Sequence, residues 1–148
     1  MATINPIRVL GIEGVLKEIQ KQKVQLGLRT AAGLKAAGLL LQRESQLRVP
    51  VDLGNLKASA FTRARGVGFF TSVTVGYTAS YAFFVHELVK MKLKGVPRPR
   101  RLGGLGTGGK KSLYWDPQGR AQAKFLEEPA RTFFPVMVAT VRRFAKIK

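Results

Sequence analysis

Val49-Pro50-Val51-Asp52-Leu53-Gly54-Asn55-Leu56 decides how this chain is read, because it marks where one kind of structure must stop and another begin. Pro50 pushes Val49 out of helical geometry, so a helix arriving from the N-terminal side ends here. Asp52 can accept a hydrogen bond from the backbone two residues on, closing an Asx turn. Gly54 takes a positive φ at little cost. Leu56 is then expected to open a strand, which makes the stretch a corner between helix and sheet.

Upstream of the corner, 11–47 reads as one long helix. Asn5-Pro6 precedes it, and no proline interrupts it. Stepped at 100° per residue, Ile12, Leu16, Gly27, Ala31, Leu34, Gly38 and Leu41 fall on one face, with Val15, Ile19, Leu26 and Ala37 beside them. Such a helix would be about 55 Å long. A globule of this length has a radius of gyration near ~15 Å. Either the helix breaks at Gly27, Gly33 or Gly38, or part of it projects and packs on another chain. Gly27, Ala31, Leu34 and Gly38 on one face would let a partner helix of a second copy approach closely.

Downstream, 56–64 and 69–77 read as two strands around Arg65-Gly66-Val67-Gly68. Val73, Val75 and Tyr77 alternate with Thr74 and Gly76, the pattern of a half-buried strand. The apolar run Tyr81-Ala82-Phe83-Phe84-Val85-His86-Glu87 fits a third strand or a short helix. A loop over 88–112 follows, rich in Gly and Pro. It carries Lys90, Lys92, Lys94, Arg98, Arg100, Arg101, Lys110 and Lys111 and no acid. Leu113-Tyr114-Trp115 reads as a returning strand. A terminal helix over 129–145 has Phe133, Met137, Val141 and Phe144 on its inner face, with Pro135 expected to kink it or delay its start. The expectation is a single α+β domain over 1–148: a long N-terminal helix, a small antiparallel sheet of about four strands, and a C-terminal helix packed on it.

Composition narrows the function. The chain has 148 residues, a length that one core can serve. At 45% hydrophobic and 9% aromatic it has the apolar content of a folded protein. Twenty-six Lys and Arg against eight Asp and Glu give a formal net charge of +18. A compact body so charged repels itself and calls for an anionic neighbour: nucleic acid, a membrane surface or acidic protein. With no Cys there are no disulfides, thiolate metal sites or cysteine nucleophiles. The longest apolar stretch, Ala36-Ala37-Gly38-Leu39-Leu40-Leu41, falls far short of the ~20 residues needed to span a bilayer. No Lys or Arg precedes Arg8, and Glu13 interrupts the apolar residues, so no secretory signal is expected and synthesis is placed in a cytoplasm.

Catalytic chemistry finds little support in the spacing. Gly104-Leu105-Gly106-Thr107-Gly108-Gly109-Lys110 has the outline of a phosphate loop. Lys111 stands where a magnesium-binding hydroxyl belongs, and no strand–loop–helix context surrounds it. His86 is the one histidine and has no triad or metal partners in sequence. The acids are scattered except Glu127-Glu128, which suit the start of the last helix. No cofactor or metal is expected, and the reading points away from an enzyme. The basic loop suits phosphate backbones or acidic protein better than base readout.

Three stretches, taken in order, resemble the tail-completion proteins of tailed bacteriophages, the small neck or head–tail joining components. Val49-Pro50-Val51-Asp52-Leu53-Gly54-Asn55-Leu56-Lys57-Ala58-Ser59 resembles that family's V-P-V-D-T-G-x-L-[KR]-x-S signature. Tyr81-Ala82-Phe83-Phe84-Val85-His86-Glu87 is similar to its Y-A-x-x-V-E element. Phe125-Leu126-Glu127-Glu128-Pro129-Ala130 is similar to the F-L-x-P-A that opens its last helix. The motif positions are Pro50, Asp52, Gly54, Leu56, Tyr81, Ala82, Val85, Glu87, Phe125, Leu126, Pro129 and Ala130. Leu53 replaces the family's Thr, Glu87 is followed by Leu88-Val89-Lys90 in place of Gly-Thr, and the basic loop is enlarged.

The resemblance implies a structural virion protein of the neck. It would form a homo-oligomeric ring, commonly six-fold, between the head-side connector and the tail. A ring of copies each at +18 closes only if the charge is spread or neutralised. The eight loop cations are therefore expected to face acidic connector proteins, packaged DNA, or both. The alternatives are a free basic nucleic-acid-binding protein and a minor capsid or tail-terminator protein.

Overall fold

The computed structural model describes residues 11–51, 54–88 and 120–146. Its elements run α1 (Ile12–Arg48), α2 (Asn55–Ala58), β1 (Ala60–Arg65), a 3-10 turn (Gly68–Phe70), β2 (Ser72–Tyr77), α3 (Ala82–Glu87), α4 (Glu127–Thr132) and α5 (Phe134–Ala145). The class is α+β, as the sequence implies. Helix α1 is unbroken for 37 residues. It stops where Pro50 requires: Val49 is extended at φ −67°, ψ 130°, and its N–H reaches Ser45 O at 3.1 Å. Every residue from 11 to 25 is exposed, and burial begins at Leu26. Of the two outcomes the sequence left open, the helix projects; it does not break.

The interior glycines explain the continuous helix. Each costs about 1 kcal/mol of helix propensity relative to Ala, and Gly27, Gly33 and Gly38 each lie where something comes very close. A Cβ on Gly27 would sit 3.1 Å from Gly68 Cα; one on Gly38, 2.6 Å from Val73 Cγ1; one on Gly33, 3.0 Å from Phe144 Cβ. Gly38 is rotated from Gly27 by only roughly 20° about the axis, and Gly33 by roughly 240°. One flank of α1 therefore takes the β-hairpin and its turn, and another takes α5. Of Gly27, Ala31, Leu34 and Gly38, which the sequence assigned to a contact with a second copy, the two glycines are taken up by the chain's own hairpin instead. Gly27 and Gly38 are buried against the chain's own hairpin, and Ala31 and Leu34 are half-buried on the same face.

Among the described residues the sheet has two antiparallel strands, in register from Ala60↔Tyr77 to Arg65↔Ser72. Val73, Val75 and Tyr77 are half-buried while Ser72 and Thr74 are exposed, matching the expected alternation. Gly76 is also half-buried, its missing side chain leaving room for the Phe61 ring. Both strands are shorter than their sequence suggests. Gly54, at φ 86°, starts a turn of helix in which Ala58 N–H bonds Gly54 O at 2.8 Å, so Leu56 is helical and the strand waits until Ala60. Gly66 (φ 89°) and Gly68 (φ 59°) wind 68–70 into a 3-10 turn, so β2 begins at Ser72. The run after Tyr81 is the helix α3. The expected strand Leu113-Tyr114-Trp115 lies outside the described residues.

Pro135 acts as its chemistry dictates. The C-terminal helical stretch is interrupted at Phe133 (φ −90°, ψ 1°), and α5 restarts with Pro135 in its first turn, where no N–H is needed. Helix α5 runs antiparallel to α1 and meets the rest of the fold through it. The Arg48 guanidinium lies 5.4 Å from the centre of the Phe133 ring, Val141 and Phe144 flank Gly33, and Arg29 Nη1 donates to Lys146 O at 3.3 Å. Phe133, Met137 and Val141 are half-buried as expected; Phe144 is more exposed. No helix among the described residues is long and apolar enough to cross a membrane.

Candidate functional site

The apolar core sits at the C-terminal end of α1, and the three sequence motifs build it. Val49 and Leu56 from the first and Phe125 from the third are its buried members. Ala82 and Val85 from the second and Leu126 from the third pack against them, with Tyr77 and Ala79. Phe125, 1% exposed, meets Tyr77 edge-on at 5.2 Å between ring centres and His86 at 5.0 Å. Pro50 and Pro129 are buried, and Ala130 is half-buried. Tyr81 is exposed ahead of α3. Asp52 and the eight loop cations Lys90, Lys92, Lys94, Arg98, Arg100, Arg101, Lys110 and Lys111 lie outside the described residues.

Polar groups close the edges of this corner. The fully buried Ser45 hydroxyl is 2.6 Å from Tyr77 Oη. Burial pushes the Tyr77 phenol above its ordinary pKa, and the Ser45 hydrogen bond partly offsets this. His86 and Glu87 lie on a helix, so the pair does not point to opposite faces as strand neighbours would: His86 Nδ1 is 2.8 Å from Glu87 Oε1. Lys124, at φ 54°, joins α3 to α4 twice over. Its N–H donates to His86 O at 2.8 Å, and its ammonium reaches Glu87 Oε2 at 2.7 Å and Glu127 Oε2 at 3.2 Å. Arg131 closes on Glu127 at 2.6 Å.

The linked ions fix a pH window. Hydrogen bonds from Lys124 and His86 hold the Glu87 carboxyl below its ordinary range, and Lys124 does the same to Glu127. The two carboxylates in turn hold the Lys124 ammonium above its ordinary range. The carboxylates' contribution is complete above their unfolded pKa of about 4.3 and is lost as pH falls through the lowered folded values. The lysine's is complete below about 10.4 and is lost as pH rises through its raised folded value. The tie between α3 and α4 is thus at full strength from about pH 5 to 10. Between pH 7 and pH 3, the melting temperature of the wild type should fall further than that of Lys124→Met, which has no tie to lose. Parallel melting curves for the two would remove the ion cluster as a clamp.

What this corner can do is hold three distant segments together. An open cleft of about 230 Å³ beside it, lined by Glu44, Leu47, Arg48, Arg120 and Gln122, is below the size of ordinary ligand pockets. No three metal-ligating side chains converge among the described residues. Sequence reasoning did not find Lys124 or the Ser45–Tyr77 pair. The i,i+3 spacing of Lys124 and Glu127 was the one local signal available.

The surface is the more unusual feature. Seventeen large apolar side chains are exposed, against four buried hydrophobic residues, among those described. They form separate patches. Ile12, Val15, Leu16 and Ile19 make a stripe along the projecting half of α1. Val67, Phe69 and Phe70 cap the hairpin, with Phe70 91% exposed. Phe83 and Phe84 on α3 are each 69% exposed, their rings 6.0 Å apart. No protein-family model, curated protein or solved structure matches the chain.

Proposed function

We propose that the protein is a structural subunit of a tailed-phage neck, a tail-completion component that joins the head-side connector to the tail within a homo-oligomeric ring. Its mechanism is assembly and requires no cofactor. One observation carries this reading: among the described residues seventeen large apolar side chains are exposed on a single copy, several of them grouped in patches of the kind that mark interaction surfaces. The ordered resemblance of the three motifs supplies the particular setting, and their convergence on one core fits a role in the scaffold. The cations of 88–112 meet acidic neighbours or packaged DNA.

The net charge of +18 supports a second reading, a free nucleic-acid-binding protein. The two diverge in solution. A neck subunit purified at micromolar concentration appears as rings by negative-stain imaging. With the eight loop cations changed to Gln, it loses assembly with its neighbours or retention of DNA in the particle. A monomer or dimer that binds duplex DNA with a steep salt dependence, and is missing from purified virions, would transfer the assignment to the second reading.

A further inference from the structure

The β-hairpin packs on α1 through one face. A Cβ on Gly38 would meet Val73, Thr62 and Val75, so these side chains point at α1. Side chains alternate along a strand, and the register pairs Phe61 with Gly76, Arg63 with Thr74 and Arg65 with Ser72. Those three pairs make up the opposite face. On it Arg63, Arg65, Ser72 and Thr74 are exposed among the described residues. Phe61 is half-buried, its ring against Gly76 and the Arg63 guanidinium 5.7 Å from its centre. Phe70, 91% exposed, stands in the connection just before Ser72.

This face is cationic, and the chain is poor in anything that could neutralise it. No acid occurs in 56–86. The described carboxylates are engaged or distant. Glu44 holds Arg48, and Glu87 and Glu127 hold Lys124. Glu18 is nine residues before Gly27 and turned roughly 180° from the flank of α1 that takes the hairpin. The residues outside those described add Arg8, Lys148 and the eight cations of 88–112 against Asp52 and Asp116 alone.

Two features therefore need one partner: guanidinium groups two residues apart on a strand, about 7 Å, and aromatic rings beside them. A second copy laid face to face would bring arginine to arginine. An acidic protein would answer the charge and leave the rings without a role. Unpaired nucleic acid answers both, because guanidinium groups match phosphates and bases stack on aromatic rings.

We propose that the outer face of the β-hairpin binds single-stranded nucleic acid. Arg63 and Arg65 take successive phosphates, Phe61 and Phe70 stack on bases, and the Ser72 and Thr74 hydroxyls donate to backbone oxygens. None of these contacts reads a base edge, so binding is independent of sequence. The site goes beyond the neck reading and does not depend on it.

The full chain is titrated, over a series of salt concentrations, with labelled oligothymidylate and oligouridylate of about 15 nucleotides and with a duplex of the same length. Arg63→Gln with Arg65→Gln should weaken single-strand binding at least ~10-fold. It should also flatten the log–log salt dependence by about 1.4, the share of two phosphates. Arg142→Gln with Arg143→Gln makes the same change of net charge on α5, where both are exposed. That control should cost less than ~3-fold and leave the slope as it was. Phe70→Ala should weaken single-strand binding at least ~5-fold through lost stacking and spare the duplex, whose bases are already paired. All the changed side chains are exposed, and matching melting curves check that the variants fold. Equal losses from the two arginine pairs, a Phe70→Ala protein that binds single strands as the wild type does, or a wild type that binds none would each overturn the proposal. Tighter binding of one oligonucleotide names DNA or RNA as the source.

A second measurement needs no substitution. An oligonucleotide carrying iodouracil, irradiated with the wild type, should become linked to Phe61 or Phe70. Links confined to 88–112 would put the nucleic acid on the loop and overturn the site, and phosphatidylserine vesicles bound through Phe70 in place of oligonucleotide would hand the face to lipid. Rings that bind no single strand would sink this site and leave the neck reading standing. Single-strand binding by a protein missing from virions would do the reverse.

Discussion

Replacing Phe125 with Ala should lower the midpoint of thermal unfolding by roughly 6–20 °C. Removing a large buried aromatic costs about 3–5 kcal/mol through lost burial and the cavity left behind, and each kcal/mol moves the midpoint of a domain this size by about 2–4 °C. Phe125 is 1% exposed and is in ring contact with both Tyr77 and His86. It also packs with Val49 and Leu56. Its loss therefore loosens the end of α1, the hairpin, α3 and the approach to α4 together. Against a total stability of about 5–15 kcal/mol, that approaches global unfolding. Phe134→Ala is the control: the residue is 61% exposed, and surface changes usually stay within about 0.5 kcal/mol. Similar melting of Phe125→Ala and wild type by calorimetry would mean that the three motifs are not held through this ring.

Where one residue dominated the local energetics, sequence was enough. Pro50 and Pro135 each end or restart a helix by removing a donor and fixing φ, and both do so at the expected places. The ends of α1 were legible because no proline stands between Pro6 and Pro50, while Gly27, Gly33 and Gly38 left a break open that close packing decides. The short elements were not. Leu56 and the run after Tyr81 carry apolar residues without enough turns to show a period, so packing decides. In α3, Ala82 and Val85 point to Phe125 while Phe83 and Phe84 point away. The spacing is helical, but two outward phenylalanines disguise it as a continuous apolar run.

The site divides in the same way. Pro50 and Gly54 could be assigned from sequence because their roles are local, a helix stop and a positive φ. Lys124 could not, since its bond to Glu87 joins residues 37 apart in the chain. Gly27 and Gly38 mark positions on α1 where something comes close, and periodicity alone does not tell whether that is a sister copy or the chain's own hairpin.

Gly38→Val separates these two possibilities in a single melting experiment. If the glycine served only a contact between copies, a dilute monomer would tolerate valine, and its helix propensity would rise slightly. The structure demands the opposite. The first carbon added lies 2.6 Å from Val73 Cγ1 and 3.0 Å from Thr62 Cγ2, and neither can step aside easily. Val73 is β-branched and stiff at χ1. The Thr62 hydroxyl donates to Gln42 Oε1 at 2.6 Å, and Gln42 Nε2 in turn donates to Ala60 O at 3.4 Å. The hairpin must therefore move off α1, and overpacking of this kind costs about 1–3 kcal/mol. Gly14→Ala is the matched comparison on the same helix. A Cβ there meets nothing within 4 Å, so that change should stabilise by up to about 1 kcal/mol. Opposite signs at two glycines of one helix, measured below the concentration at which copies associate, would place the close approach inside the single chain. A Gly38→Val monomer as stable as wild type would return that face to the interface between copies.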